Sequence, residues 1–297
     1  MTDAKQQGTD RPQLFVTGNV QAAGIVQVLK NVRPVAARFD VTYVDQASAL
    51  PKSAPKGSVL LEQVGEGGKG LTTLPAGIAK RVRFPDLTFA LLWPFNSVNP
   101  YNKPQPPEFP YGRFPNGDSF IQSCLAANVP RNDILRLYFG NEWSASWPDL
   151  DALFKKTSAR LTAMDATFEL GIGSYILKHF RRQRLFLTPQ SPTDLLLAEL
   201  ITRLLAAAFP KDAEMASANA PGVIASLGSR DCLGIFAIPI HPLVARHFEL
   251  TWVSPHTRYN YFDREQLTVR EYCARFLDDA YANGAGQKAE PARISSR

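Results

Sequence analysis

The chain opens on a short apolar run, Leu14-Phe15-Val16, followed by Thr17-Gly18-Asn19 and then by Ala22, Ile25, Val26 and Leu29 at helical spacing. Phe39, Val41 and Tyr43 then alternate as strand residues do. This pattern predicts a β-α-β unit with a tight first turn, and such a crossover implies parallel pairing. Val59 to Val64 and Leu87 to Leu91 read as further strands. In sheets of this kind ligands collect at the carboxyl ends of strands, where Gly18 and Asn19 fall.

Between Trp93 and Gly117 the pattern changes, because seven prolines are interleaved with Trp93, Phe95, Tyr101, Phe109, Tyr111 and Phe114. No regular helix runs through such a stretch. It reads either as an ordered loop beside a site or as a cover over the core. From Asp118 to Arg182 the pattern is mostly helical, with Pro148 placed to begin one helix and Gly171 and Gly173 to break another. Ser191 and Pro192 read as the cap and first turn of a helix whose buried face is Leu195 to Leu205. Thr268-Val269-Arg270-Glu271 has capping-box spacing, with Leu267 and Tyr272 as a hydrophobic staple, and predicts a helix to about Tyr281. The organisation predicted is a flexible segment over 1–12, one α/β domain over 13–282 and a frayed tail over 283–297.

Composition narrows the picture. With 45% hydrophobic and 20% charged residues over 297 positions, the chain has material for a compact core. An excess of 33 basic over 27 acidic residues and a pI near 9.2 favour an anionic partner. Cys124, Cys232 and Cys273 are odd in number and widely spaced, which suits reduced thiols better than a disulfide framework or a metal pair. Met1 to Gln13 lack the apolar core of a secretory leader, and Leu195 to Phe209 is broken by Glu199 and Arg203. A cytoplasmic protein without stable membrane insertion is expected.

Three groups of residues could carry chemistry. Gly18-Asn19-Val20-Gln21 follows a strand and opens a helix, so the backbone N–H groups of its first turn can meet a phosphate or a developing oxyanion. The same four residues also suit a simple capped turn. His241 precedes Pro242 at a second junction into a helix, where a neutral imidazole could accept a hydroxyl proton or serve only the structure. Lys178, Arg181, Arg182 and Arg184 form a dense basic cluster, suited to a ligand's phosphates or to the negative end of a helix. No phosphate-loop or dinucleotide fingerprint is present, no Gly-x-Ser-x-Gly elbow, and no metal-ligand pattern.

These pieces in this order resemble the WcbI family of polysaccharide-biosynthesis acetyltransferases. The resemblance rests on Gly18-Asn19-Val20-Gln21-Ala22, Arg83-Phe84-Pro85-Asp86-Leu87, Gly173-Ser174-Tyr175, Arg184-Leu185-Phe186, the Pro192-to-Leu205 helix and His241-Pro242, across roughly residues 14 to 255. The family is similar to SGNH-type esterases, which implies an SGNH-like parallel sheet core with extensive helical additions. It also implies acetyl-coenzyme A as donor and a sugar hydroxyl of a bacterial capsular polysaccharide as acceptor. Where the family has Gly-Asn-Cys-Gln this chain has Val20, and where it has Asn-His-Pro this chain has Gln190-Ser191-Pro192. The expectation is therefore direct transfer, with His241 as base and Asn19 and Gln21 stabilising the oxyanion. Gly18, Asn19, Val20 and Gln21, with Lys178, Arg181, Arg182 and Arg184, would hold coenzyme A. The alternatives are an SGNH-like carbohydrate esterase and a non-catalytic module for an anionic ligand; no RNA-binding motif supports nucleic acid.

Overall fold

The computed structural model describes residues 11–45, 49–65, 67–68, 70–140, 142–227, 236–262 and 265–285. Within the span 13–282, which the sequence presents as one domain, packing resolves two compact units. The first takes in Met1–Phe89 and Lys155–Ile235, the second Ala90–Phe154 and Phe236–Arg297.

The first unit is built on a parallel sheet. β1 (Gln13–Thr17), α1 (Val20–Asn31), α2 (Arg33–Arg38) and β2 (Asp40–Val44) form the predicted β-α-β unit, and β3 (Ser53–Val64) and β4 (Ala76–Pro85) extend it in the order β2-β1-β3-β4. Leu14 pairs with Val41 on one side and Val59 on the other, so β1 is central. Four of its five residues are buried, as a strand covered on both faces requires.

Two expectations are corrected here. Leu87 to Leu91 form no strand, because the Leu87 N–H donates to the Gln21 side chain, the Phe89 N–H donates to Pro189 O, and Ala90–Leu92 form a 3₁₀ turn. The sheet's fourth strand is β4 instead, an edge strand whose Lys80, Arg81 and Arg83 hide its period. Likewise, the helix expected from Ser191 begins at Asp194, with Thr193 as its cap. Ser191–Pro192 pair with Phe186–Thr188 in a short antiparallel ladder, which takes up the residues that would have started the helix. The helix Asp194–Ala208 buries the predicted apolar face except Leu195, which is exposed: Leu197, Leu200, Ile201 and Leu204 are fully covered, each contributing about 2 kcal/mol by burial. Phe89 stacks on Phe186 at 5.3 Å and meets Phe180 edge-on at 5.5 Å.

The second unit packs the helices Ser119–Ala126, Arg131–Tyr138, Pro242–His247 and Val269–Ala282 around an aromatic core. The helix Leu150–Phe168 begins in this unit and passes into the first at Lys155. The proline-rich stretch is ordered. Asn96–Val98 and Asn116–Asp118 close it as an antiparallel pair, and two asparagines pin its interior. Asn99 donates to Phe114 O and accepts from Tyr101 N, while Asn102 donates to Tyr111 O and accepts from Phe114 N. These side chains supply the hydrogen bonds that proline backbones lack. The capping box forms as predicted, with Thr268 and Glu271 bonding each other's backbone N–H, and Leu267 and Tyr272 are both buried. Of the expected tail, Ala285 is packed at 4% exposure, and residues 286–297 lie outside the described residues, as do most of 1–12. Among the described residues no helix is long and apolar enough to cross a membrane.

Candidate active site

The turn after β1 is forced by glycine. Gly18 sits at φ +147°, and a Cβ there would collide with Gln63 Oε1. Tyr43 donates its hydroxyl to Gly18 O at 2.8 Å, fixing the carbonyl before α1 begins. Asn19 then caps α1: its Oδ1 accepts from Gln21 N at 2.8 Å. Its own N–H donates to Gln63 Oε1 at 2.8 Å, and its Nδ2 donates to Asp86 Oδ1 at 3.0 Å.

Gln21 has a different task from the one expected. It is 4% exposed, and its side chain makes four hydrogen bonds. Oε1 accepts from Leu87 N (3.0 Å) and Gln63 Nε2 (3.2 Å), and Nε2 donates to Leu87 O (2.9 Å) and Gln190 O (2.8 Å). With both donor hydrogens spent it cannot donate to an oxyanion. Gln21 is a buried strut that ties the turn to the end of β4 and to the 186–192 ladder.

Val20, by contrast, is 77% exposed, and its N–H makes no hydrogen bond within the described residues. An apolar side chain so open at the first position of a buried helix is a departure from α1's own pattern, since Ala22, Ile25 and Leu29 are covered. A cavity of about 490 Å³ borders this turn, lined by Gly18, Asp45, Glu62, Gln63, Gly68 and Gly70 among others; a second, of about 370 Å³, is lined by Asp86, Arg160, Met164 and Phe168 among others. Glu62, 3% exposed, is held by Arg81 and by Leu71 N and is thereby committed to the fold. Asp86 accepts from Asn19 through Oδ1, its side-chain partner among the described residues, and lines the 370 Å³ cavity.

His241 belongs to the second unit and is sealed. It is 3% exposed and ringed by Tyr138, Phe95, Trp143 and Trp147 at 4.5 to 6.1 Å between centroids. Nδ1 accepts from Leu243 N at 3.1 Å, capping the helix that Pro242 opens. Nε2 therefore carries the proton and donates it to Tyr138 O at 2.7 Å. Burial pushes its pKa down to about 4. An imidazole with both nitrogens engaged has no lone pair for a hydroxyl proton, so the general-base role is corrected to a structural one.

The basic cluster lies in the first unit, between the helix Ile172–His179 and the strand Phe186–Thr188. Arg181 lies over the Phe180 ring at 4.8 Å, Arg184 is half-buried, and Lys178 and Arg182 are exposed. Lys178 and Arg182 make no ion pair among the described residues. Cys124 and Cys273 are buried and unpaired, and Cys232 lies outside the described residues.

Residues 13–210, two thirds of the chain, match the family model described as polysaccharide biosynthesis enzyme WcbI. The chain belongs to the WcbI family. A solved structure of WcbI, described as a novel polysaccharide biosynthesis enzyme in its native form without a disulfide between coenzyme A and one of its cysteines, shares the fold. The TM-score is 0.60 at 15% identity, over 92% of this chain and 90% of that one. Among curated proteins none matches. The family model covers the whole turn with Gln63, Asp86 and the basic cluster, and stops before His241.

Gln63, Asp86 and Tyr43 were not singled out as site residues from the sequence. A signal was present: each is polar and lies at the end of a strand or directly after one, at the carboxyl end where open parallel sheets gather ligands.

Proposed function

We propose that the chain is an acetyl-coenzyme A-dependent O-acetyltransferase acting on a sugar hydroxyl of a bacterial capsular polysaccharide, in the cytoplasm. The observation that carries the reading is the β1–α1 turn, where Val20 is exposed, its N–H is unbonded among the described residues, and the neighbouring Gly18 lines a cavity of about 490 Å³. Membership of the WcbI family and the coenzyme A with which the WcbI structure is described point the same way.

The residues present suit the donor. Lys178 and Arg182, with Arg181 and Arg184, meet its phosphates, and the glycine-lined cavity beside Gly18 accepts the chain that carries the acyl group. Bound acetyl-coenzyme A supplies an activated acyl carbon. Asp86 would take the proton of the sugar hydroxyl as its oxygen bonds to that carbon, and would return it to the sulfur as the carbon–sulfur bond breaks and coenzyme A leaves as the thiol. Val20 N–H and the second hydrogen of Asn19 Nδ2 donate to the acyl oxygen as charge develops. With valine at position 20 no thiol can hold the acyl group, so both substrates bind before either product leaves. An SGNH-like esterase would need a nucleophile there.

Val20→Cys tests the reading. A thiol at this helix start should form a mixed disulfide with coenzyme A disulfide, seen by intact mass and suppressed by excess acetyl-coenzyme A. Native protein should melt higher with coenzyme A present and show intersecting initial-rate lines. Failure of coenzyme A to bind a folded sample would overturn the donor.

A further inference from the structure

The second unit contains a cavity of about 230 Å³ lined by Arg113, Phe114, Tyr261, Arg275, Asp278 and Asp279. Three segments build it: the closing arm of the proline-rich loop, the strand Tyr259–Tyr261 and the helix Val269–Ala282. Several of its charges are already committed. Arg131 holds both oxygens of Asp278, at 2.7 and 3.1 Å, and Arg275 pairs with Glu265.

What is left is specific. Tyr261 is 4% exposed, yet its hydroxyl makes no hydrogen bond among the described residues. It lies within electrostatic reach of Arg113, Asp279, Arg275 and Glu265, and burial pushes its pKa up to about 12, so it remains a protonated phenol. Arg113 is steered by the loop: Nε donates to Gln105 Oε1 at 2.9 Å and the guanidinium lies 4.5 Å over the Phe109 ring, leaving its terminal nitrogens uncommitted. Asp279 accepts from Asn283 at 3.1 Å through Oδ2, which leaves Oδ1. The Tyr261 side chain is buried while its hydroxyl lines the cavity, where a ligand hydroxyl can bond it.

We infer that this cavity is a saccharide subsite, holding one neutral sugar ring through Tyr261, Arg113 and Asp279. Hydroxyl pairs both donate and accept, and they match a donor, a donor-acceptor and an acceptor set side by side. One uncommitted cation and one uncommitted anion balance, so a phosphate or uronate would face Asp279 and an amine would face Arg113. The volume lies below the roughly 300–1,000 Å³ typical of drug-sized sites, which suits a single ring. The inference rests on the saccharide acceptor proposed above.

Calorimetric titration of the full chain tests it, with methyl glycosides of a hexose and a heptose, a uronic acid and inorganic phosphate as probes. The neutral glycosides should bind, and Tyr261→Phe and Asp279→Asn should each weaken them about tenfold, the cost of one lost hydrogen bond, without changing coenzyme A affinity or melting temperature. No glycoside binding, preference for the uronate or phosphate, or indifference to both substitutions would overturn the subsite. Glycoside binding that responds to both substitutions without acetyl transfer would leave the subsite standing and remove the transferase. Transfer with an unchanged saccharide KM in both variants would do the reverse.

Discussion

Asn19 and His241 occupy equivalent local positions. Each precedes a helix, each caps it with a side-chain acceptor, and each sits at the junction where chemistry is usually sought. What surrounds them is opposite. After Asn19 the chain exposes Val20 and faces Asp86, whereas His241 disappears beneath four aromatic rings. A capping motif therefore marks a possible site, and the lone pairs left over after capping decide whether it is one.

Substitutions should separate the two junctions most sharply through activity. Asp86→Asn should lower turnover about 10³-fold, and Asn19→Ala about 10²-fold, in proteins that still bind coenzyme A. Assays of acetyl transfer on folded samples check this, and near-normal turnover in Asp86→Asn would remove the base from the turn. The His241 junction should respond in stability instead. His241→Ala strips a cap and opens a hole in the aromatic core, costing about 3 kcal/mol by urea unfolding, while the fraction that remains folded keeps turnover within a few-fold. A 10²-fold loss of turnover at unchanged stability would restore His241 to the chemistry.

The smallest effect is a pH dependence hidden by cancellation. Asp118 is half-buried, capping the helix Ser119–Ala126 and accepting from Tyr138 OH at 2.8 Å, and desolvation pushes its pKa up from 3.8 to about 6. The folded state thus holds this proton more tightly, a contribution present at low pH and lost as pH rises through 6. His241, held near 4 against a usual 6.5, behaves oppositely: its contribution is present above 6.5 and lost as pH falls toward 4. Each amounts to roughly 3 kcal/mol, so between pH 4 and 6 they offset. Asp118→Asn keeps the cap and removes one side, so its urea midpoint should fall steadily as pH drops from 6.5 to 4 while that of the native protein stays flatter. Parallel profiles would refute the offset.

Local signals were legible in the sequence. The β1–α1–β2 opening follows from periodicity and a glycine turn, and the capping box at Thr268 from four adjacent residues. Signals that depend on distant partners were not. β4 reads as polar because it is an edge, the 194 helix starts late because Ser191 and Pro192 are recruited by residues 186–188, and His241 is sealed by rings from positions 95, 138, 143 and 147. Gln21 showed the same limit: its residue type suggested a donor, but its partners lie 42, 66 and 169 positions away.

That last separation sets a schedule for biosynthesis. The Gln21 strut cannot close until Gln190 has left the ribosome, and at about 5–20 residues per second the intervening chain takes roughly 10–30 s to synthesise. The β1–α1 turn exists as sequence long before it is braced. For that interval Leu87 and Gln21 have only each other and Gln63, and a chain that stops short of residue 190 would carry the sheet without the finished site.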